Sequence, residues 1–398
     1  MAKGGVLDYF KGSMTLITTT KDLKSICTRL KKSAFVTVDT EFIREKTYWP
    51  KLCLIQVCGD DDAPYAIDPL AEDIDLKPFY DLMQDKKVLK VFHACRQDLE
   101  IFFNETGKLP TPVFDTQVAA MVCGFGEQVS YEVLVNTLAR KKIDKSSRFT
   151  DWALRPLTAK QLKYALADVT HLRRIYVRMT EQLDKMGRTG WIRDEMKGLM
   201  NKSLYLTRPE DAWQRIRIPN HKPRTLCILR EIAAWREQLA QDVNVPRGRI
   251  LKDEALAEIA THPPATSEAL NKMRNVHQGF GNSERGKSLL EAVRRGMEAD
   301  EKKCPKWEPR PAFPPGIAPT IELLRVLLKL KCENEQVAPK LLCTAADLEM
   351  IAAFGKDSKV PAMSGWRFKI FGKEALALRE GKVAIAVENS KLKIVKTA

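Results

Sequence analysis

Apolar positions fall into two regimes along the chain. From Leu16 to about residue 92, short β-rich runs alternate with helical stretches. Ala34–Val38, Leu52–Val57, Tyr65–Ile67 and Val88–Phe92 are predicted strands, and Leu23–Lys31, Leu76–Gln84 and Leu99–Asn104 carry the 3.6-residue period of helices. The early strands follow one another closely, as hairpins do, and helices dominate afterwards. The predicted class is therefore α/β, with a mixed sheet flanked by helices rather than a strictly parallel one.

Beyond residue 116 the pattern is helical: Gln117–Val122, Tyr131–Leu138, and a long helix from Ala159 to about Leu183 with Thr158 as its N-cap. After Thr207-Arg208-Pro209, β-like alternation is almost lost until the end of the chain. Arg224–Asp242, Asp253–Thr261, Ser267–Arg274 and Glu284–Met297 read as amphipathic helices of a small bundle. Six prolines between residues 304 and 319 predict a stiff, extended linker. A second helical unit runs from Thr320 to about Leu378, with a β-like tail at Val383–Val387. The two units share a coarse arrangement, with a late turn at Gly365-Trp366-Arg367 in the second, which fits duplication of a module. The expected organisation is an N-terminal extension, 1–14, a catalytic unit, 15–205, a helical module, 206–300, a linker, 301–318, and a second helical module, 319–398.

Composition narrows the class of partner. Lys and Arg total 66 against 51 Asp and Glu, a net charge of +15, which favours a polyanion such as nucleic acid. A hydrophobic content of 44% with 29% charged residues excludes disorder on a large scale. Nine cysteines with no CxxC pair and no zinc-like spacing read as reduced, mostly buried thiols. With no apolar run of membrane-spanning length and no signal-peptide core near the N-terminus, the expectation is a cytoplasmic protein without membrane contact.

The candidate chemistry is carboxylate chemistry. Asp39 and Glu41 lie two residues apart at the end of an apolar strand, so strand periodicity points both to one face. Such a pair suits a divalent metal, and equally a strand end meeting solvent. Asp98 falls in the first turn of the helix after Val88–Phe92, where an acid also complements the helix dipole. Tyr164 and Asp168 are spaced i, i+4 on one face of the long helix. His93, at a strand end, reads as a packed structural histidine, with support of a metal ligand as the alternative. The segment Lys145-Ser146-Ser147-Arg148-Phe149-Thr150-Asp151-Trp152 mixes basic and aromatic residues: Lys145 and Arg148 are candidates for phosphate contact, and Trp152 for either a stacked base or the core.

In order and spacing, Asp39 and Glu41, then Asp98, then Tyr164 and Asp168 resemble the three motifs of the DEDDy 3′→5′ exonucleases. The surrounding Val38-Asp39-Thr40-Glu41-Phe42, Tyr48-Trp49-Pro50, Ile67-Asp68-Pro69, His93-Ala94, Asp115-Thr116-Gln117 and Asp151-Trp152 are similar to the ribonuclease D branch over about residues 15–183. Pro209 to Trp213, Leu229 to Arg236 and Val245-Pro246-Arg247 resemble an HRDC module, and the second helical unit stands where that family has an HRDC-like one. The resemblance implies a ribonuclease H-like catalytic domain and two divalent ions, Mg²⁺ or Mn²⁺, bridged by Asp39. It further implies that Glu41 and Asp168 complete the tighter site, that Asp98 holds the second ion partly through water, and that Tyr164 orients the attacking water. The implied substrate is RNA with a single-stranded 3′ end, tRNA precursors among them, acted on by a monomer. Basic residues of the first helical module, Arg224, Arg230 and Arg247 among them, are candidates for an electrostatic footprint on nucleic acid. The alternative readings are a DNA 3′→5′ exonuclease and a catalytically silent RNA-binding protein.

Overall fold

The computed structural model describes residues 15–307 and 312–397, leaving aside the side chains of Thr15 and Lys145. The expected N-terminal extension and the middle of the proline-rich linker lie outside the described residues.

Six strands form one mixed sheet: β1 (Thr15–Ile17), β2 (Phe35–Ile43), β3 (Lys51–Cys58), β4 (Pro64–Ile67), β5 (Leu89–Phe92) and β6 (Val113–Asp115), in the order β1-β4-β3-β2-β5-β6. β3 is antiparallel to both β2 and β4, whereas β2, β5 and β6 run parallel. The four predicted strands are present. β2 continues five residues past the predicted end, because Asp39 and Glu41 stay paired with β3 although the apolar run has stopped. The two three-residue edge strands, β1 and β6, were not predicted; each is too short to show a period.

The helices of this unit are α1 (Thr20–Leu30), α2 (Lys77–Met83), α3 (Arg96–Thr106), α4 (Thr116–Val122), α5 (Tyr131–Leu134), α6 (Ala159–Lys185) and α7 (Thr189–Leu199). Thr158 caps α6 as predicted, accepting from Gln161 N while the Gln161 side chain returns to the cap, so two orphan N–H groups are satisfied. α5 widens into a π turn over Val135–Ala139, so the predicted helix Tyr131–Leu138 is helical along its whole length. α7 went unpredicted. Its polar face is broken by glycines, and only Ile192 and Met196 are buried.

The first helical module is built on α8 (Pro223–Asp242), with Asp253–Thr261, Ser267–Asn271 and Glu284–Glu298 packed around Leu229, Ile232, Leu256 and Leu289. Gly296 permits the close crossing of two of these helices: a Cβ there would lie 2.5 Å from Ile228 Cα. The second module centres on helix Ala318–Glu335 and on Leu327, Ile351 and Phe371. It is not wholly helical. The β-like tail is a hairpin of β7 (Val383–Glu388) and β8 (Lys391–Lys396), whose second strand is too rich in lysine to read as apolar alternation.

Both modules touch the catalytic unit. Asn244 Oδ1 accepts from the backbone N–H groups of Tyr48 and Trp49 at 3.1 and 3.0 Å. On the other module, Trp366 stacks on Trp191 of α7 with ring centroids 4.1 Å apart and planes inclined by 5°. Arg188 donates to the carbonyls of Val122 and Glu335, tying α4 to helix Ala318–Glu335. Among the described residues no helix is long and apolar enough to cross a membrane. All nine cysteines are free and buried.

Candidate active site

β2 is an interior strand, and the carboxylates at its C-terminal half meet helices arriving from two directions. Asp39 and Glu41 project to one side by strand alternation, and a β-bulge follows between Glu41 and Phe42. α6 crosses the sheet beside them, held in part by Thr37 Oγ1 donating to Val169 O at 2.8 Å. One turn earlier on α6 sits Tyr164, and at its inner face Asp168. One ligand atom each from Asp39, Glu41 and Asp168 lies within 4.8 Å of the other two.

Asp98 is buried a short way off, and Thr40, between the two acids of β2, donates its hydroxyl to Asp98 Oδ1 at 2.5 Å. The turn that carries it is fixed by Asp115. One carboxylate oxygen of Asp115 accepts from Ala94 N and Gln117 N, the other from Cys95 N, so a single side chain orders the starts of both α3 and α4. Ala94 is held at φ +56°, a conformation non-glycine residues seldom adopt, at the wall of the site. In the sequence Asp115 stands out only as part of the Asp115-Thr116-Gln117 motif. Its role depends on β5 and β6 lying side by side, which linear spacing does not reveal.

Asp39, Tyr164 and Asp168 line a cavity of about 360 Å³ with His93, Gln117, Tyr131 and Arg148. Burial raises the pKa of Asp39 to about 6. Burial, and then the charges of Asp39, Asp168 and Asp98, raise Glu41 to about 9, partly offset by Arg148. Asp98 and Asp168 are pushed well above the carboxylate range by burial first and Asp39 second. Four carboxyl groups in this state repel one another as anions, and a cation among them relieves that repulsion. The donors are all hard oxygens, which fits a divalent ion of the Mg²⁺ or Mn²⁺ type.

Tyr131 was missed from sequence. Its hydroxyl donates to the carbonyl of Asp168, and its ring lies 5.1 Å from that of His93. His93 Nδ1 is 3.0 Å from Thr116 Oγ1, and burial lowers its pKa to about 4, so the ring is neutral. Arg148 lines the cavity. Of Lys145 only the backbone is described, in a 3₁₀ turn over Lys145–Ser147; its side chain lies outside the described residues.

Of the two readings of Trp152, a stacked base or the core, the structure shows the core, which corrects its place among the candidate nucleic-acid contacts. Trp152 is 2% exposed, packed with Leu54, Ala66 and Ala165 and 6.2 Å from the Tyr164 ring, so it offers no face to a base. Arg155 locks it there by donating to Trp152 O while pairing with Asp68 through two contacts of 2.6 Å. Of the basic residues considered for a footprint on the first module, Arg224 donates to the carbonyls of Gly296 and Ala299, Arg230 to that of Lys303, and Arg247 pairs with Glu237.

Comparison with known proteins agrees with this geometry. The family model for 3′-5′ exonucleases matches residues 14–184, and that for the HRDC domain matches residues 226–293. The chain is thus an enzyme of the divalent-metal-dependent 3′→5′ exonuclease class, with an HRDC region after its catalytic domain. It is 48% identical to ribonuclease D of Nitrobacter hamburgensis over 379 residues, covering 95% of this chain and 98% of that one. It is 46% identical to ribonuclease D of Granulibacter bethesdensis, with 97% of each chain covered. The crystal structure of Escherichia coli RNase D, described as an exoribonuclease involved in structured RNA processing, superposes with a TM-score of 0.79 at 27% identity, over 92% of this chain and 99% of that one. The chain belongs to the ribonuclease D family.

Proposed function

We propose that the chain shortens RNA from the 3′ end by hydrolysis, releasing nucleoside 5′-monophosphates, with Asp39, Glu41, Asp98 and Asp168 holding two divalent ions, Mg²⁺ or Mn²⁺. The observation that carries this reading is the meeting of Asp39, Glu41 and Asp168 within 4.8 Å, with Asp98 buried beside them on Thr40. When bound, such ions supply a hydroxide-like nucleophile at neutral pH and stabilise charge on the leaving oxygen.

The chain's own residues orient and exclude. Burial and the nearby carboxylates push the Tyr164 hydroxyl above its ordinary pKa, so it stays protonated and serves by hydrogen-bonding the attacking water, not by deprotonating it. Tyr131 donates to the backbone carbonyl of Asp168 and so steadies the helix at that residue, while Tyr164 hydrogen-bonds its carboxylate and orients a group that must keep one geometry. Neutral His93 supports the turn before Asp98 through Thr116 and takes no part as a ligand. Arg148 meets a phosphate of the strand. The catalytic unit, 15–205, and the modules, 206–300 and 319–398, admit single-stranded 3′ ends of tRNA precursors and other small structured RNAs, and the enzyme acts as a monomer in the cytoplasm, where free thiols stay reduced.

Product analysis tests the reading. Incubation of a tRNA precursor carrying a 3′ trailer with Mg²⁺ should yield 5′-mononucleotides, and EDTA should stop it; internal fragments, or products ending in 3′-phosphate, would overturn it.

A further inference from the structure

We propose that Phe149 is a stacking platform for a base of the RNA strand at the mouth of the carboxylate cavity, a reading that rests on the exoribonuclease function above. Phe149 is 92% exposed, more than any other large apolar side chain among the described residues. Burial of an aromatic ring is normally favoured, so a ring held in water beside an active site calls for an occupant.

The exposure is built in by fixed neighbours. Ser147, two residues before, is 2% exposed, and its carbonyl accepts from Thr150 N and from Thr150 Oγ1, the latter at 2.8 Å. Thr150 Oγ1 in turn accepts from Gln161 Nε2 at 3.2 Å, and Gln161 belongs to the capping box of α6. Three residues after Phe149, Trp152 is sealed in the core. The segment is therefore fastened on both sides to the helix that carries Tyr164 and Asp168, and the ring between the fastenings points outward.

The adjacent residue supplies the charge that a nucleotide needs. Arg148 lines the cavity with Asp39 and Asp168, and its guanidinium lies 5.2 Å from the centroid of the Phe149 ring. A phosphate drawn to Arg148 brings its own base, or the next one, over residue 149. With the cation at one face, the other face remains for the base. Stacking of this kind tolerates every base, because all have a π-face, and it requires an unpaired strand. The role first considered for Trp152 thus passes to a residue three positions earlier in the same loop.

The test measures coupling between ring and base. Phe149→Ala and Phe149→Trp are compared with the parent on RNA oligomers carrying an abasic site at each of the last few 3′ nucleotides in turn. Binding is measured with Ca²⁺ as the only divalent ion, and turnover with Mg²⁺. Phe149→Ala should weaken binding of intact RNA about tenfold, from the loss of one stacked base, and raise KM with kcat nearly unchanged. Phe149→Trp should restore binding. At one position the abasic site should cost the parent about tenfold and cost Phe149→Ala almost nothing. Equal abasic losses in parent and Phe149→Ala at every position would overturn the platform. A parent that binds with this coupling yet shortens no RNA would sink the exoribonuclease reading and leave the platform standing.

Discussion

The hydroxyl of Tyr48 donates to Oε1 of Glu237, joining the β2–β3 connection that follows Glu41 to the first helical module. Glu237 is fully buried, 3.3 Å from Arg247, and Gln241 donates to the Tyr48 oxygen at 3.2 Å. The HRDC region is thus fastened to the connection between the strand that bears two of the four acids and its neighbour. Glu237→Ala leaves the partly exposed Arg247 guanidinium and the buried Tyr48 phenol without their acceptor, and should destabilise the chain by about 2 kcal/mol in urea unfolding. Glu237→Gln, which keeps an acceptor for Tyr48, should cost less. A loss for the alanine variant no larger than that of a surface substitution would contradict the fastening.

The carboxylate cluster makes stability depend on pH and metal together. Asp39 is raised from 3.8 to about 6 and Glu41 from 4.5 to about 9, so the folded state holds these protons more tightly than the unfolded chain does. Their contribution to stability is complete below the unfolded values and is lost as pH rises through the folded ones. In EDTA the melting temperature should fall between about pH 5 and about pH 8, less steeply in Glu41→Gln. Added Mg²⁺ should raise it more at the higher pH, where the anionic site is formed. An Mg²⁺ effect that is equal at both pH values, or larger at the lower, would contradict the metal assignment.

Asp168 and Tyr164 share a helix face but have different tasks. Asp168→Asn should reduce turnover by about a thousandfold or more while RNA binding stays measurable, since a neutral amide is a poor ligand for a hard cation. Tyr164→Phe removes a hydroxyl that orients water and should cost about a hundredfold. Single-turnover rates of the two variants rank them; a phenylalanine variant as impaired as the asparagine one would assign Tyr164 more than orientation.

Trp366 and Trp191 carry the contact between α7 and the second module. Trp366→Ala should destabilise the chain by about 3 kcal/mol and lower the cooperativity of urea unfolding, because the module loses its stacked anchor and Arg367 loses the ring beneath it. An unchanged, single transition would show that the stack contributes little.

Much of this was legible in sequence for identifiable reasons. The apolar runs of β2, β3 and β5 have enough residues to show a period, and Asp39, Glu41, Tyr164 and Asp168 sit at spacings that strand and helix geometry turn into shared faces. Thr158 was readable because a cap is a local feature. Asp115 and Tyr131 were not, since each acts on a segment brought near only by the sheet or by α6. Trp152 and Phe149 illustrate the same limit at close range. Both are aromatic, three residues apart in one loop, and only the Arg155–Asp68 clamp and the packing of Ala165 determine that the tryptophan turns inward and the phenylalanine out.

The most direct test compares the parent with Asp39→Ala on 3′-overhang RNA and on DNA of the same sequence, in Mg²⁺, Mn²⁺ or EDTA, with products resolved at single-nucleotide length. The account predicts stepwise shortening of RNA by the parent in either metal, none in EDTA, none by Asp39→Ala, and slower action on DNA. Undiminished shortening by Asp39→Ala, or activity that survives EDTA, would contradict it.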